Sequence, residues 1–208
     1  MNTQHPNLTN AAQQEACSEQ TLSASARREM QAAYAKALLD QVDAAQEQIQ
    51  DLQDDISLLK TAENALDMIS ENLAKVRRLA MEKQTYSTRK QTVADLNDEI
   101  RNLLMINMLV AEDTELNGHF LFRDDIIRMS SNTRGELTLT TTRLPEIAGI
   151  DTNDTQATLD SLDSAARTIN RQYERIAELM RTLLDNYRQL QHETIVLTTA
   201  QRELKQTD

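Results

Sequence analysis

Three histidines, one cysteine and two pairs of adjacent aspartates are the residues whose types could do chemistry in this sequence. Their spacing argues against it. His5, His119 and His192 stand in different segments, and none has a second ligand at a metal-binding interval. A single cysteine, Cys17, rules out an internal disulfide and a cysteine-based zinc cage. Asp54 and Asp55 fall in a helical stretch, where neighbours point about 100° apart, so they do not form a proton-sharing dyad. Asp124 and Asp125 read, like them, as solvated charge. There is no glycine-rich loop to cradle a phosphate, and no Ser, His and Asp set in a nucleophile-elbow context. Met105 and Met108 could line a binding groove, but filling gaps in a core is the commoner use of methionine. The sequence therefore predicts no enzyme, no metal and no cofactor.

With no chemistry to position, the elements themselves must carry the function. Hydrophobic residues make up 39% of the 208 residues but aromatic ones only 3%, with no tryptophan. A thick globular core built on large rings is excluded, and burial must come from Leu, Ile, Val, Met and Ala in helices packed side by side. The formal net charge of −11 repels phosphate backbones and anionic membrane surfaces, so nucleic acid is excluded as a partner class. No basic start followed by an apolar run marks a secretory signal, and no run of about 18 apolar residues suits a bilayer.

Helix breakers set the organisation. The glycines are Gly118, Gly135 and Gly149 and the prolines Pro6 and Pro145, so outside the N-terminal tail every breaker lies between 118 and 149. Residues 1–21 read as a polar, disordered tail. A first helix over 22–84 carries Leu38, Ala45, Leu52, Leu59, Leu66, Leu73 and Ala80 at seven-residue intervals, with Val42, Ile49, Ile56, Ile69 and Val76 beside them. Unbroken, it would be on the order of 90 Å long. TYSTR (85–89) offers Ser and Thr as N-caps for a second helix over 89–110. A β-hairpin region spans 119–143, with Phe120 and Phe122 on one side of SSNTRG and Leu137 and Leu139 on the other. Asn117-Gly118 is a turn signal, and 144–156 is a linker. The last helix, 157–206, repeats Leu162, Ile169, Ile176, Leu183, Leu190, Leu197 and Leu204, with Ala166, Tyr173, Met180 and Tyr187 as the partner row. The expected fold is mainly α: an elongated antiparallel bundle of long, coiled-coil-like helices forming a rod, with a small β-hairpin.

The run DDISLLKTAENALDMISENLAKVRRLAMEKQ (54–84) resembles the inner rod domain of the bacterial flagellin family. That family has an Asn-Asp-Gly-Ile-Ser start and a Thr-Ala-Glu-Gly-Ala-Leu centre in the same order. The likeness continues through VADLNDEIRNLL (93–104) and TELNG (114–118). It returns in LDSLDSAARTINRQYERIAELM (159–180) and TTAQRELKQTD (198–208). The hook–filament junction protein, a relative of flagellin, is echoed by Asn117-Gly118-His119-Phe120-Leu121-Phe122. The resemblance implies a structural subunit at the bacterial flagellum, outside the cell. Its partners would be itself, other flagellar proteins and an export chaperone, with no membrane insertion. Lys75, Leu79 and Glu99 match the patch that in flagellins serves subunit contacts and the mammalian innate receptor.

This sequence also departs from the family. The stretch 1–21 shows no apolar heptads where a tube-forming helix is expected, the chain stops at Asp208, and 123–157 stands in place of the variable outer domain. The expectation is a chain without tube-forming segments that does not form long filaments unaided. The alternatives are a non-polymerising paralogue that binds flagellar or export partners, and a cytoplasmic location, since no export segment is recognisable.

Overall fold

The computed structural model describes residues 8–86, 88–123, 126–129, 137–140, 150 and 152–206. Three helices dominate: α1 (Leu8–Thr85), α2 (Lys90–Asp113) and α3 (Thr155–Gln206). Between α2 and α3 lie β1 (Glu115–Leu116), β2 (His119–Phe120), β3 (Ile126–Met129) and β4 (Leu137–Thr140). The strands form two separate antiparallel pairs, β1 with β2 and β3 with β4.

The helix boundaries differ from the sequence reading at informative places. α1 is already helical at Leu8, not first near Leu22, so residues 8–21 are helix rather than a tail. Apolar heptads are absent there, but so are Gly and Pro, and Ala, Gln and Glu favour helix without any seam. α2 starts at Lys90 with Arg89 in the cap position and no side-chain capping bond, in place of the expected Ser or Thr cap. α3 starts at Thr155, two residues early, because Asp154 caps it. Its Oδ1 accepts from the backbone N–H groups of Gln156 (2.8 Å) and Ala157 (3.2 Å).

The chain divides into two compact units. One comprises Met1–Glu47 with Gln189–Asp208. It buries Leu38, Val42 and Ala45 on α1 and Leu190 on α3, while Leu197 and Leu204 are half-buried. A β-branched stretch of α3 runs through this unit. There Thr194, Thr198 and Thr199 each return a hydroxyl to the carbonyl four residues earlier, satisfying groups that would otherwise compete with the helix.

The other unit, Gln48–Arg188, contains most of the side chains that are buried among the described residues. The expected row of α1 is buried throughout it: Leu52, Leu59, Leu66, Leu73 and Ala80. On α3, Leu162, Ile169, Ile176 and Leu183 are buried with it. The expected partner row is not. Ala166 is exposed, and Tyr173, Met180 and Tyr187 are half-buried. The inward row lies one residue earlier, at Thr158, Ala165, Gln172 and Asn186, with Leu179 half-buried between them. Polar side chains at these positions hide the true register, and the larger Tyr and Met side chains advertise the wrong one.

The strand region follows from local chemistry. Asn117 (φ 53°) and Gly118 (φ 82°) both take the left-handed conformation that a tight two-residue hairpin demands, joining β1 to β2. Leu121 and Phe122 follow at once and are buried. Phe122 lies in a turn and not in a strand. The partner of β4 is Ile126–Met129, with Ile127 opposite Leu139 and Met129 opposite Leu137. Ile127, Met129 and Leu139 are buried and Ile126 is exposed, so this hairpin has one inward face. The SSNTRG segment and most of the stretch 144–156, expected as a linker, lie outside the described residues.

Candidate contact surface

Among the described residues no three His, Cys, Asp or Glu side chains come together as metal ligands. His119 and His192 are exposed in separate elements, Asp54 is exposed and Asp55 half-buried. His5, Asp124 and Asp125 lie outside the described residues. No helix of the described residues is long and apolar enough to cross a membrane. What this unit presents is a set of helical faces.

Three polar rungs mark the register of the α1–α3 face. The Arg77 guanidinium donates to the Asp163 carboxylate, the Tyr173 hydroxyl to the Asp67 carboxylate, and the Gln53 amide to the Tyr187 hydroxyl at 3.1 Å. From rung to rung, α1 falls by ten and then fourteen residues while α3 rises by the same steps. The two segments are therefore antiparallel in constant register, which is what two seven-residue repeats facing each other dictate. The rungs sit at the margin, where water screens them, and the leucines fill the middle. Arg77, mainly through its hydrogen bond, holds the Asp163 carboxyl below the usual range. Burial, and then the Asp67 carboxylate, push the Tyr173 phenol well above its ordinary value.

α2 is oriented by a different device. Asn107 is fully buried. Its amide oxygen accepts from Asn72 Nδ2 at 2.8 Å, and its own Nδ2 donates to the Ile69 carbonyl at 3.3 Å. One polar side chain thus pins α2 to α1 at a single level. The buried row of α2 is Leu96, Ile100, Leu104 and Asn107. Sequence reading missed Asn107, although its place three residues beyond Leu104 in that row marks it as inward.

The opposite side of α2 is the unusual surface. Asp98, Asn102, Met105, Leu109 and Glu112 follow each other in steps of four and three, and all are exposed. Met105 is 57% exposed, Leu109 47% and the adjacent Ile106 45%. In the segment LLMINMLVA (103–111) the lone polar residue faces inward while three large apolar ones face out. A helix segment apolar nearly all round is expected to be buried on both sides.

The three positions singled out in the sequence fall on both of these helices. Lys75 is exposed and Leu79 half-buried on α1, and Glu99 is exposed on α2. Leu79 lies seven residues beyond Asn72, on the row of α1 that turns towards α2. At the end of the unit, buried Lys83 donates to the carbonyls of Thr152 and Asn153, tying the end of α1 to the approach to α3. Arg123 lies 3.7 Å above the Phe120 ring and donates to the Glu112 carbonyl at 3.0 Å, closing the C-terminal end of α2.

Comparison with known proteins bears on what such faces do. The chain is 26% identical over 169 residues to a flagellin of Halalkalibacterium halodurans, a match covering 75% of this chain and 62% of that relative. The chain thus spans less than two thirds of that protein's length. Among solved structures it resembles Bacillus cereus flagellin, with a TM-score of 0.60 and 22% identity, over 68% of this chain and 88% of that one. It also resembles a Vibrio parahaemolyticus protein described as flagellar hook-associated, with a TM-score of 0.55 and 12% identity, over 83% and 93%. At these identities the structural likenesses establish the fold. The sequence pattern of the bacterial flagellin N-terminal helical region matches residues 2–127. It reaches well upstream of the quoted motifs, which begin at Asp54, into the stretch where α1 is already helical. With more than half of its length inside that match, this chain belongs to the bacterial flagellin family.

Proposed function

We propose that this chain is a structural subunit of the bacterial flagellum. It acts outside the cell and assembles by packing helical faces of the Gln48–Arg188 unit against other copies or other flagellar proteins. The observation that carries the reading is the outward apolar row of α2, Met105, Ile106 and Leu109, on a helix whose inward row spends a position on Asn107. Family membership supports it. Lys75, Leu79 and Glu99 are the other part of this surface. Each contact is weak alone and counts through repetition.

The test is immunoelectron microscopy of cells expressing the chain with a small epitope inserted at 131–134. Label along flagella, lost when Met105 and Leu109 are both changed to Glu, is the expected result. Label that stays inside the cell, with the purified chain binding export components but not flagellin, would overturn it in favour of a non-polymerising binding protein.

A further inference from the structure

Asn117 is the one asparagine of this sequence that precedes a glycine; every other is followed by a residue with a side chain. The pair has a chemistry of its own. When a backbone nitrogen reaches the side-chain carbonyl carbon of the asparagine before it, the two can close into a five-membered imide, and glycine leaves that approach uncrowded. Here the pair is the turn between β1 and β2, and both residues are exposed. A Cβ placed on Gly118 would meet nothing within 4 Å, so water reaches its nitrogen freely. The register sets Leu116 against His119 and Glu115 against Phe120, which leaves the Gly118 N–H outside the ladder. Among the described residues no hydrogen bond holds that N–H or the Asn117 amide. The other described asparagines, Asn153 apart, lie within helices, where the backbone N–H groups are engaged. A left-handed backbone points the Gly118 nitrogen away from the side-chain carbonyl, so the turn must open before the ring can close. Opening is local and cheap: β1 and β2 have two residues each, and Leu121 and Phe122 stay buried beyond them.

We propose that Asn117-Gly118 is a self-modifying site, at which the folded chain converts Asn117 with age into aspartate and isoaspartate and so loosens the β1–β2 hairpin. The Gly118 nitrogen gives its proton to water and bonds to Asn117 Cγ. The bond from Cγ to the side-chain nitrogen breaks, and that nitrogen leaves with a proton from solvent as ammonia. One water then opens the imide. Attack at Cγ restores the main chain and leaves aspartate; attack at the main-chain carbonyl carbon leaves Gly118 joined through Cγ, as isoaspartate. The sum is one water consumed and one ammonia released, with no oxidant and no enzyme. Aspartate adds a carboxylate to a segment that already holds Glu112, Asp113 and Glu115. Isoaspartate lengthens the main chain by a carbon, in a turn whose fit to its strands depends on having two residues. The loosened hairpin adjoins the end of α2, where Arg123 reaches back to the Glu112 carbonyl. The site goes beyond the assembly reading and does not depend on it.

The experiment ages the purified full-length chain in warm neutral buffer and follows every asparagine by peptide mapping and mass spectrometry. Isoaspartate is read with a protein isoaspartate methyltransferase and a labelled methyl donor. The Asn117 peptide should be lost before any other asparagine peptide changes. Its replacement should be heavier by the difference between an oxygen atom and an NH group, and part of it should take up label. The Leu121 N–H donates to the Thr114 carbonyl at 3.0 Å across the hairpin, and its protection from hydrogen exchange should fall in step with the conversion. Asn117→Gly keeps two residues suited to the left-handed turn and has no amide to lose, so it should neither convert nor lose that protection on ageing. A parallel sample in urea gives the rate for the unstructured pair. An Asn117 that stays intact in the folded chain, whatever it does in urea, overturns the site. So does conversion that begins equally at other asparagines. Conversion that leaves the Leu121 N–H as protected as before overturns the loosening.

Discussion

The α1–α3 seam and the α1–α2 contact of the Gln48–Arg188 unit solve the same packing problem in opposite ways. In the seam, leucines and isoleucines fill the middle and the polar rungs Arg77–Asp163, Tyr173–Asp67 and Gln53–Tyr187 lie at the edge. In the α1–α2 contact a fully buried asparagine marks the middle and the large apolar side chains of α2 turn outward. The first arrangement spends its apolar surface on the fold of the single chain. The second withholds part of it, accepting a polar position in the core while a sticky face stays available. The contrast teaches that hydrophobic content alone does not tell which helices hold a unit together.

The sharpest way to break this comparison is to truncate one leucine on each side of it. Leu66 has no exposure, so Leu66→Ala removes buried methyl groups and leaves a cavity in the seam, costing about 2–5 kcal/mol. Leu109→Ala on the outer side of α2 should change stability by less than about 0.5 kcal/mol. Urea denaturation of both variants checks the pair. Comparable losses would mean that the α2 face already belongs to the core of the monomer.

Asn107 gives the next largest effect. Asn107→Ala leaves the Asn72 amide and the Ile69 carbonyl without their partner and should cost about 1–3 kcal/mol. In a double-mutant cycle with Asn72→Ala the two losses should not add, because the first change already removes what the second would. Additive losses would show that Asn107 acts through packing alone and does not set the level of α2 against α1.

How legible these features were in the sequence follows from the same contrast. The leucine row from Leu52 to Ala80 and the row from Leu162 to Leu183 could be read by counting sevens, because each inward position is apolar. The second row of α3 could not, since Gln172 and Asn186 occupy it while Tyr173, Met180 and Tyr187 stand one residue away at the margin. A tyrosine is large enough to look like core, yet its hydroxyl needs a partner, and an edge position facing Asp67 or Gln53 supplies one. The Asn-Gly turn was plain for the opposite reason: its two left-handed residues leave few alternatives to that dipeptide. The outward face of α2 was read only as methionine abundance, because periodicity fades in a segment apolar on every side.

Tyr173 sharpens the marginal half of the comparison. Its phenol is raised above the ordinary value of 10.0 by burial and by the Asp67 carboxylate. A group raised in the folded chain contributes stability that is whole below its unfolded value and declines as pH climbs past about 10. The chain should therefore soften in the alkaline range, and Tyr173→Phe should remove part of that pH dependence while losing the bond to Asp67. Thermal unfolding of both chains between pH 8 and 11 measures it, and identical alkaline slopes would show that Tyr173 does not titrate with unfolding.

The smallest effect is expected at the Arg77–Asp163 rung. Both side chains are nearly half exposed, so water and salt screen the pair, and it adds little to the leucines beneath it. Asp163 is held below its usual value of 3.8, chiefly by the hydrogen bond from Arg77. A depressed carboxyl contributes stability that is present above its unfolded value and lost as pH falls through its lower folded one. Arg77→Gln should thus flatten a small slope at the acid end, below about pH 4, and leave neutral stability almost unchanged. Raising salt should shrink the difference between the two chains, whereas Leu66→Ala should stay as costly as before. If the substitution at Arg77 cost as much as the one at Leu66, the rungs and not the leucines would be setting the register, and the division between a dry middle and a wet margin would fail.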